Sequence, residues 1–275
     1  MKPFLKFLHL LSLDVVLGAM LTSVMFWRLP DGSGPIEMSA VILLGISTWV
    51  IYILDRLLDL RIYPKNLSER HRFHADHQYN LSILLVVLSV IGLVFCFLIP
   101  LKVLIFGACI SLTLVVYFYV LNKVFKGNKL IWMKEPVTAV TYTLAVVGIA
   151  FVNQSSVNLS GWILAIFLFL IASQNLLLFS YFEDLNEPAV KNTVSYFGQS
   201  TSKKIITGIA ALILFLTIFL FSGGWEYINK VALLMTAMSL ILSLMPAFEN
   251  FFLKNDRYRW VGDGVFLLPA ILFFV

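Results

Sequence analysis

The sequence predicts an all-α membrane protein, a polytopic bundle of about nine transmembrane helices around a central cavity that opens to the cytoplasmic side. Of its 275 residues, 60% are hydrophobic and 13% are charged, whereas a soluble domain carries roughly 25% charged residues. The mean hydropathy is +0.92. So much apolar sequence cannot be buried inside one globule of this length, so much of it must face lipid. We expect a single transmembrane domain over residues 1–275.

Most of the apolar segments are long enough to cross a hydrocarbon core of about 30 Å, which needs around 20 helical residues. They occupy residues 8–27, 37–58, 80–99, 101–121, 136–152, 160–182, 205–223, 228–247 and 261–275. The last is short and is expected to be tilted or partly re-entrant. The apolar runs are continuous and do not alternate with polar residues, which argues against transmembrane strands. The first segment resembles a signal sequence but lacks a small-x-small cleavage site, so we treat it as a retained helix.

The basic residues predict the orientation of the bundle. All but three of the 20 Lys and Arg residues lie in the N-terminal segment or in alternate linkers, which are 55–79, 122–135, 183–204 and 248–260. The three exceptions are Arg28, Lys102 and Lys230. The positive-inside rule therefore puts the N-terminus in the cytoplasm and the C-terminus outside, with a bacterial inner membrane as the expected location. The net charge of +5 follows from this topology, and we expect no nucleic-acid partner.

Two pairs of acidic residues end the second and sixth predicted helices. Asp55 and Asp59 are four residues apart, as are Glu183 and Glu187, so each pair lies on one face of its helix. Like charges at this spacing repel, and an acid costs up to about 2.5–3.5 kcal/mol at the membrane centre, and less toward its surface. A compensating cation is therefore expected. Mg²⁺ suits such a site because it binds a few carboxylates together with substrate phosphates.

Ordinary interfacial salt bridges are the alternative to a metal at these acids. Asp55 can pair with Arg56 or Arg61, and Glu187 can pair with Lys191. Ion pairs of this kind are common at surfaces and need no metal. Asp184, which lies between the two members of the second acid pair, is a further site candidate.

The acid motifs resemble those of the UbiA-type superfamily of intramembrane prenyltransferases. Members have nine helices, an N-D-x-x-D-x-x-x-D motif at the end of helix two and a D-x-x-x-D motif at the end of helix six. Asp55-Arg56-x-x-Asp59 is similar to the second half of the first motif, and Glu183-x-x-x-Glu187 takes the place of the second. The resemblance in layout covers nearly the whole chain. Ile51 and Tyr52 stand where the family has Asn and Asp.

The resemblance implies Mg²⁺-dependent transfer of a prenyl group from an isoprenoid diphosphate to a small acceptor within the membrane. It assigns the metal to the four acids of the two pairs. It assigns the diphosphate to basic residues near them, namely Arg56, Arg61, Arg72, Lys123 and Lys191. Tyr52 is expected to shield a developing carbocation, and Asp14 to accept a proton from the acceptor substrate.

Polar residues outside the acid pairs are open to more than one interpretation. His71 and His74 lie three residues apart in a basic segment, which favours a phosphate-facing loop or a solvated interfacial helix over zinc, because the pattern fits no closed structural zinc site. Asp14 and Asp263 are lone acids at membrane depth, and such residues face a cavity or a polar partner. Ser12 or a neighbouring helix can satisfy Asp14, and Asp263 can be a helix-entry residue.

Two other functions stay open. A catalytically altered UbiA-like protein that binds a lipid or a partner is suggested by the Tyr52 substitution. A transporter is suggested by Asp14 and Asp263, because carriers place charged residues near the membrane midplane. The clustering of the acid pairs at one membrane face favours the transferase over the transporter.

Overall fold

The computed structural model describes residues 3–62, 69–123, 134–186, 192–221 and 226–274. Within these ranges the chain is helical and contains no strand, which confirms the predicted all-α class. The α-helices are α1 (Pro3–Leu10), α2 (Leu13–Trp27), α3 (Met38–Ile62), α4 (Glu69–Asp76), α5 (Gln78–Phe95), α6 (Leu101–Lys123), α7 (Lys134–Phe151), α8 (Leu159–Asn186), α9 (Thr193–Phe197), α10 (Gln199–Phe221), α11 (Glu226–Leu244), α12 (Glu249–Leu253) and α13 (Arg257–Gly264). 3-10 helices span Met245–Ala247, Lys254–Asp256 and Val265–Phe273.

Helices long and apolar enough to cross a membrane make up much of the chain. In its described part there are five, namely Met38–Leu58, Gln78–Phe95, Leu159–Asn186, Gln199–Phe221 and Glu226–Ala247. Shorter apolar helices span Leu13–Trp27, Leu101–Val116 and Glu135–Phe151. Only 11% of the candidate span in α5 and 28% of that in α10 are buried. Large apolar side chains such as Val90, Phe215 and Ile218 are exposed there. A surface of this kind is compatible with lipid and not with water, so the chain is an integral membrane protein.

Packing is organised around α8 and α2. α8 contacts α7, α10, α11 and α13, while α2 contacts α3, α7 and the 3-10 helix Val265–Phe273. α7 therefore connects the helices around α2 with those around α8, and a continuous core runs through both groups. α5 packs against α3 and α6 packs against α7, which leaves most of the α5 surface exposed.

The first and last predicted spans are less regular than single α-helices. The segment 8–27 divides at Ser12, whose φ of 57° is left-handed, a conformation that costs a residue with a side chain about 1–2 kcal/mol. The Ser12 amide donates to the His9 carbonyl oxygen at 2.9 Å, which closes the turn between α1 and α2. The final segment consists of the end of α13 and the 3-10 helix Val265–Phe273, which contains Pro269. Pro269 has no N–H to donate, so a regular α-helix cannot be completed there.

A buried glutamine ties α8 to α10 and α11. Gln174 is 0% exposed. Its Nε2 donates to the carbonyl oxygens of Ile206 at 2.9 Å and Ser239 at 3.1 Å, and its Oε1 accepts from the Ser239 hydroxyl at 2.7 Å. Both ends of the amide are thus satisfied away from water, where an unmade hydrogen bond would be costly.

We expect Gln174→Leu to destabilise the protein by about 1–2 kcal/mol, because three interhelical hydrogen bonds are lost and the Ser239 hydroxyl loses its acceptor. Thermal unfolding in detergent micelles measures the effect. Gln154→Leu is the matched control, because Gln154 makes a single 3.5 Å hydrogen bond to the Phe26 carbonyl oxygen. Equal losses in the two variants would contradict the structural role given to Gln174.

Candidate functional site

Charged and polar side chains meet at one end of the bundle, where α13 contacts both α2 and α8. Arg259 of α13 binds Glu183 of α8, and Asp263 of α13 lies beside His9 and Asp14. We call these five residues the polar centre. They come from the break between α1 and α2, from the end of α8 and from α13, so the polar centre joins the two ends of the chain.

His9, Asp14 and Asp263 form the most enclosed part of the polar centre. His9 is 7% exposed and Asp263 is 9% exposed, while the Asp14 side chain is 15% exposed. Nδ1 of His9 is hydrogen-bonded to Oδ2 of Asp14. One donor atom from each of the three residues lies within 4.8 Å of the others. The break at Ser12 makes this possible because it turns the end of α1 back toward the first turn of α2.

Arg259 connects α13 to the acidic end of α8. Its Nη2 donates to Glu183 Oε1 at 2.6 Å, and its Nε donates to the Tyr258 hydroxyl at 3.1 Å. The Tyr258 ring is buried and stacks on Phe182, with ring centroids 5.0 Å apart. Glu183, the first acid of the second predicted pair, therefore has a protein cation as its partner. Its other carboxylate oxygen, Oε2, accepts no hydrogen bond from the described residues.

The close approach of α13 to α8 depends on Gly262. A Cβ at this position would lie 2.4 Å from the Phe179 ring and 2.5 Å from Asn175 Oδ1. Asn175 and Phe179 are on the same face of α8 as Glu183, at intervals of four residues. The absence of a side chain at 262 thus allows Arg259, one turn earlier, to reach Glu183.

Tyr52 and Tyr142 extend the site toward α3 and α7. Tyr142 lies beside Thr22 of α2 and within electrostatic range of both Tyr52 and Asp263. Its ring meets Phe266 edge-on, with centroids 5.6 Å apart. Tyr52, which stands where the resembling family has an acid, is therefore placed near the polar centre. Tyr142 thus lies within electrostatic range of one residue of α3 and of one residue of the polar centre.

The acid pair of α3 is described only in part. Asp55 is half-buried and makes no hydrogen bond or ion pair with any described residue. Arg56 is half-buried as well. Asp59 and Arg61 belong to α3, but their side chains lie outside the described part of the chain. The prediction that Asp55 pairs with Arg56 has no support in the described contacts, and its metal role stays a prediction.

Of the remaining predicted residues, Asp184 has described contacts and the side chains of the others lie outside the described part of the chain. Asp184 accepts hydrogen bonds from Ser195 at 3.2 Å and Gln199 at 2.8 Å, so it links the end of α8 to α9 and α10. Glu187 and Lys191 lie outside the described residues. Lys123 is the last residue of α6, and its side chain is also outside the described part. Their predicted roles stay predictions.

The histidine-rich segment forms α4, which packs against α3 and α5. His74 is 1% exposed, whereas Arg72 and His77 are exposed. The Nδ1 of His77 is hydrogen-bonded to the Phe73 carbonyl oxygen at 2.9 Å. The side chain of His71 lies outside the described part. α4 therefore has one buried face and one exposed face.

A second polar contact links α8, α10 and α12. Lys203 Nζ lies 2.6 Å from Glu249 Oε1, and the Tyr181 hydroxyl donates to the same oxygen. The hydrogen bond from Lys203, together with that from Tyr181, holds the pKa of Glu249 below its usual value of 4.5. This group positions α12 just before the chain enters α13.

Sequence reasoning missed His9, Arg259 and Trp260. His9 is separated from Asp14 by a helix break that no residue pattern predicts. Trp260, which is distant in sequence, stacks on His9 with ring centroids 4.0 Å apart. A weak signal did exist for Arg259. It lies four residues before Asp263, the spacing that puts two side chains on one helical face.

We expect Gly262→Ala to destabilise the protein by about 1–3 kcal/mol, because the added methyl group must displace Phe179 and Asn175. Gly264→Ala is the matched control, because a Cβ there meets no atom within 4 Å, and alanine is the better helix former. Thermal unfolding of the two variants in the same detergent measures the difference. A Gly262→Ala variant as stable as the control would contradict the proposed close contact.

Comparison of the chain with protein-family models, with curated proteins and with solved structures finds no match. The functional argument therefore depends on the residues themselves and on their arrangement in the bundle.

Proposed function

We propose that this protein is a membrane-embedded transferase that moves a prenyl group from an isoprenoid diphosphate to a small acceptor, in the manner of the UbiA-type enzymes that its motifs resemble. The supporting observation is that Tyr142 lies within electrostatic range of both Tyr52 of α3 and Asp263 of the polar centre, in which Arg259 binds Glu183 of α8. The two helices with the acid motifs, α3 and α8, would thus face a common site. An allylic diphosphate bound there would contact residues from both motifs.

The proposed topology has nine spans. The five long apolar helices and the three shorter ones would cross the membrane, and α13 with the 3-10 helix Val265–Phe273 would form the ninth crossing. The N-terminus would be cytoplasmic and the C-terminus outside, in keeping with the positive-inside rule. The polar centre would then lie at the cytoplasmic end of a central cavity.

Mg²⁺ would be held by Asp55, Asp59, Glu183 and Glu187. Of these, Asp55 offers a carboxylate with no partner among the described residues, and Glu183 offers Oε2, since Arg259 is bonded to Oε1. Oxygen donors of this kind fit Mg²⁺. When bound, the ion would neutralise the departing diphosphate and so promote its release.

The chain's own residues would supply the remaining functions. Arg72 is exposed on α4, where it can attract a diphosphate from the cytoplasmic side. Arg56, Arg61, Lys123 and Lys191 are further proposed contacts for the diphosphate. The half-buried ring of Tyr52 would shield positive charge that develops on the prenyl group, because the face of an aromatic ring attracts cations.

We expect Asp55→Asn and Glu183→Gln to lower the release of diphosphate from allylic isoprenoid diphosphates by about 100-fold or more, because each removes charge that would hold the metal. Diphosphate release from protein in lipid vesicles, with Mg²⁺ or with a chelator, measures this. Glu226→Gln is the matched control, because Glu226 is exposed and paired with Lys230 at the start of α11, away from the polar centre. Equal release by all three variants would exclude the proposal.

A non-enzymatic lipid-binding or partner-binding protein is the second candidate. The ion pair between Glu183 and Arg259 favours it, because the protein's own cation already neutralises one of the predicted metal ligands. The presence of Tyr52 at a position where the family has an acid points the same way.

We expect Tyr52→Asp to strengthen Mg²⁺ binding if the transferase proposal is correct, because it adds a carboxylate next to the proposed metal ligands. Titration of the purified protein with Mg²⁺ in the presence of an isoprenoid diphosphate measures the change. Unaltered affinity, together with an absence of diphosphate release by the native chain, would favour the second candidate.

A further inference from the structure

The histidine and the two aspartates of the polar centre have donor atoms close enough to share one ion. Ligands of one ion bind at about 2.0–2.2 Å, so three of them arranged around it lie at most about 3.8 Å from one another. The donor atoms of His9, Asp14 and Asp263 are all within 4.8 Å of one another. Side-chain adjustments of about 1 Å would therefore bring all three into one coordination sphere.

Two of the three side chains are buried and the third is mostly enclosed, which separates them from the acidic clusters common on protein surfaces. His9 and Asp263 are less than a tenth exposed, and only 15% of the Asp14 side chain is exposed. Two carboxylates together carry two negative charges, and an imidazole that binds a metal is neutral. A divalent cation would balance the charge of these three ligands, and it would take the place of the hydrogen bond between His9 and Asp14.

A hydrogen bond and a ring stacking contact already orient the metal-binding side chains of Asp14 and His9. The backbone N–H of Val15 donates to Oδ1 of Asp14 at 3.0 Å, while Oδ2 faces His9. The Trp260 ring stacks on the His9 imidazole with an interplanar angle of 29°. Hydrogen bonds and packing outside the ligands commonly fix their orientation in metal sites and contribute to affinity.

The chemistry of the donor set indicates which ion it would hold. An imidazole nitrogen with two carboxylate oxygens suits Mn²⁺, Fe²⁺, Co²⁺ and Zn²⁺, whereas Mg²⁺ and Ca²⁺ prefer oxygen ligands alone. Three protein ligands leave at least one coordination position for water or for an oxygen atom of a small molecule. A site of this kind is open to a further ligand, unlike a closed structural site.

We propose that His9, Asp14 and Asp263 form a binding site for one divalent first-row transition-metal ion. The site joins the break between α1 and α2 to α13, and it uses none of the four acids assigned to Mg²⁺. It does not depend on the proposed prenyl transfer, so either proposal can fail while the other stands.

Metal binding by the full-length chain in detergent micelles tests the site. The protein is freed of metal with a chelator, incubated with Mn²⁺, Co²⁺ or Zn²⁺, desalted and analysed for bound metal and for the visible absorption of Co²⁺. We expect about one ion per chain. His9→Gln and Asp263→Asn should each weaken binding by more than about 100-fold, because each removes a ligand.

The controls are His77→Gln and Asp76→Asn, the same substitutions at exposed residues at the end of α4. Both control variants should bind metal as the native chain does. Loss of binding in the controls as well, or retention of it in His9→Gln and Asp263→Asn, would overturn the proposal. If the site variants do not fold, metal binding by the native chain alone tests the proposal. Less than stoichiometric metal, or a Co²⁺ spectrum without a nitrogen ligand, would then overturn it.

Discussion

The ion pair between Arg259 and Glu183 joins α13 to α8 across 76 residues of chain. Charged groups at the edge of a hydrocarbon region are stable when they are paired and hydrogen-bonded, and Arg259 satisfies both conditions through Glu183 and Tyr258. Asp263 follows Arg259 by one turn, so the same contact determines where Asp263 lies relative to His9 and Asp14. The geometry of the whole polar centre therefore depends on the docking of α13.

The docking of α13 against α8 depends on close packing of the two helices. Gly262 lets the helix approach Asn175 and Phe179, and the stacked rings of Tyr258 and Phe182 fill the space beside the ion pair. Further along α8, Gln174 is hydrogen-bonded to α10 and α11. α8 thus has polar contacts to several neighbouring helices along its length. In a lipid environment, where apolar contacts between helices bring little gain over contacts with lipid, such contacts and close packing specify which helices meet.

The sequence was sufficient to predict the helical class and the membrane location, because both follow from composition and from the length of apolar segments. It also predicted α3 and α8 as the helices that carry acids. It was not sufficient to predict the partners of those acids. Glu183 binds an arginine 76 residues away, and the His9–Asp14 contact requires a left-handed serine that no local pattern indicates. Contacts of this kind depend on tertiary packing, which the residue pattern of a single sequence does not reveal.

The length of α8 bears on the level that the ion pair would take in a membrane. With 28 residues the helix is about 42 Å long, which exceeds the hydrocarbon thickness by about 12 Å. Trp162, which is 54% exposed near the start of α8, is suited to the opposite interface, where tryptophan is enriched. A crossing that begins at Trp162 would use about 20 residues for the hydrocarbon, and Glu183 and Arg259 would then stand at the level of the lipid headgroups. An amphiphile in ordinary bilayer orientation, with its tail in the hydrocarbon and a phosphate at its head, would thus present that phosphate at the level of the Arg259 guanidinium.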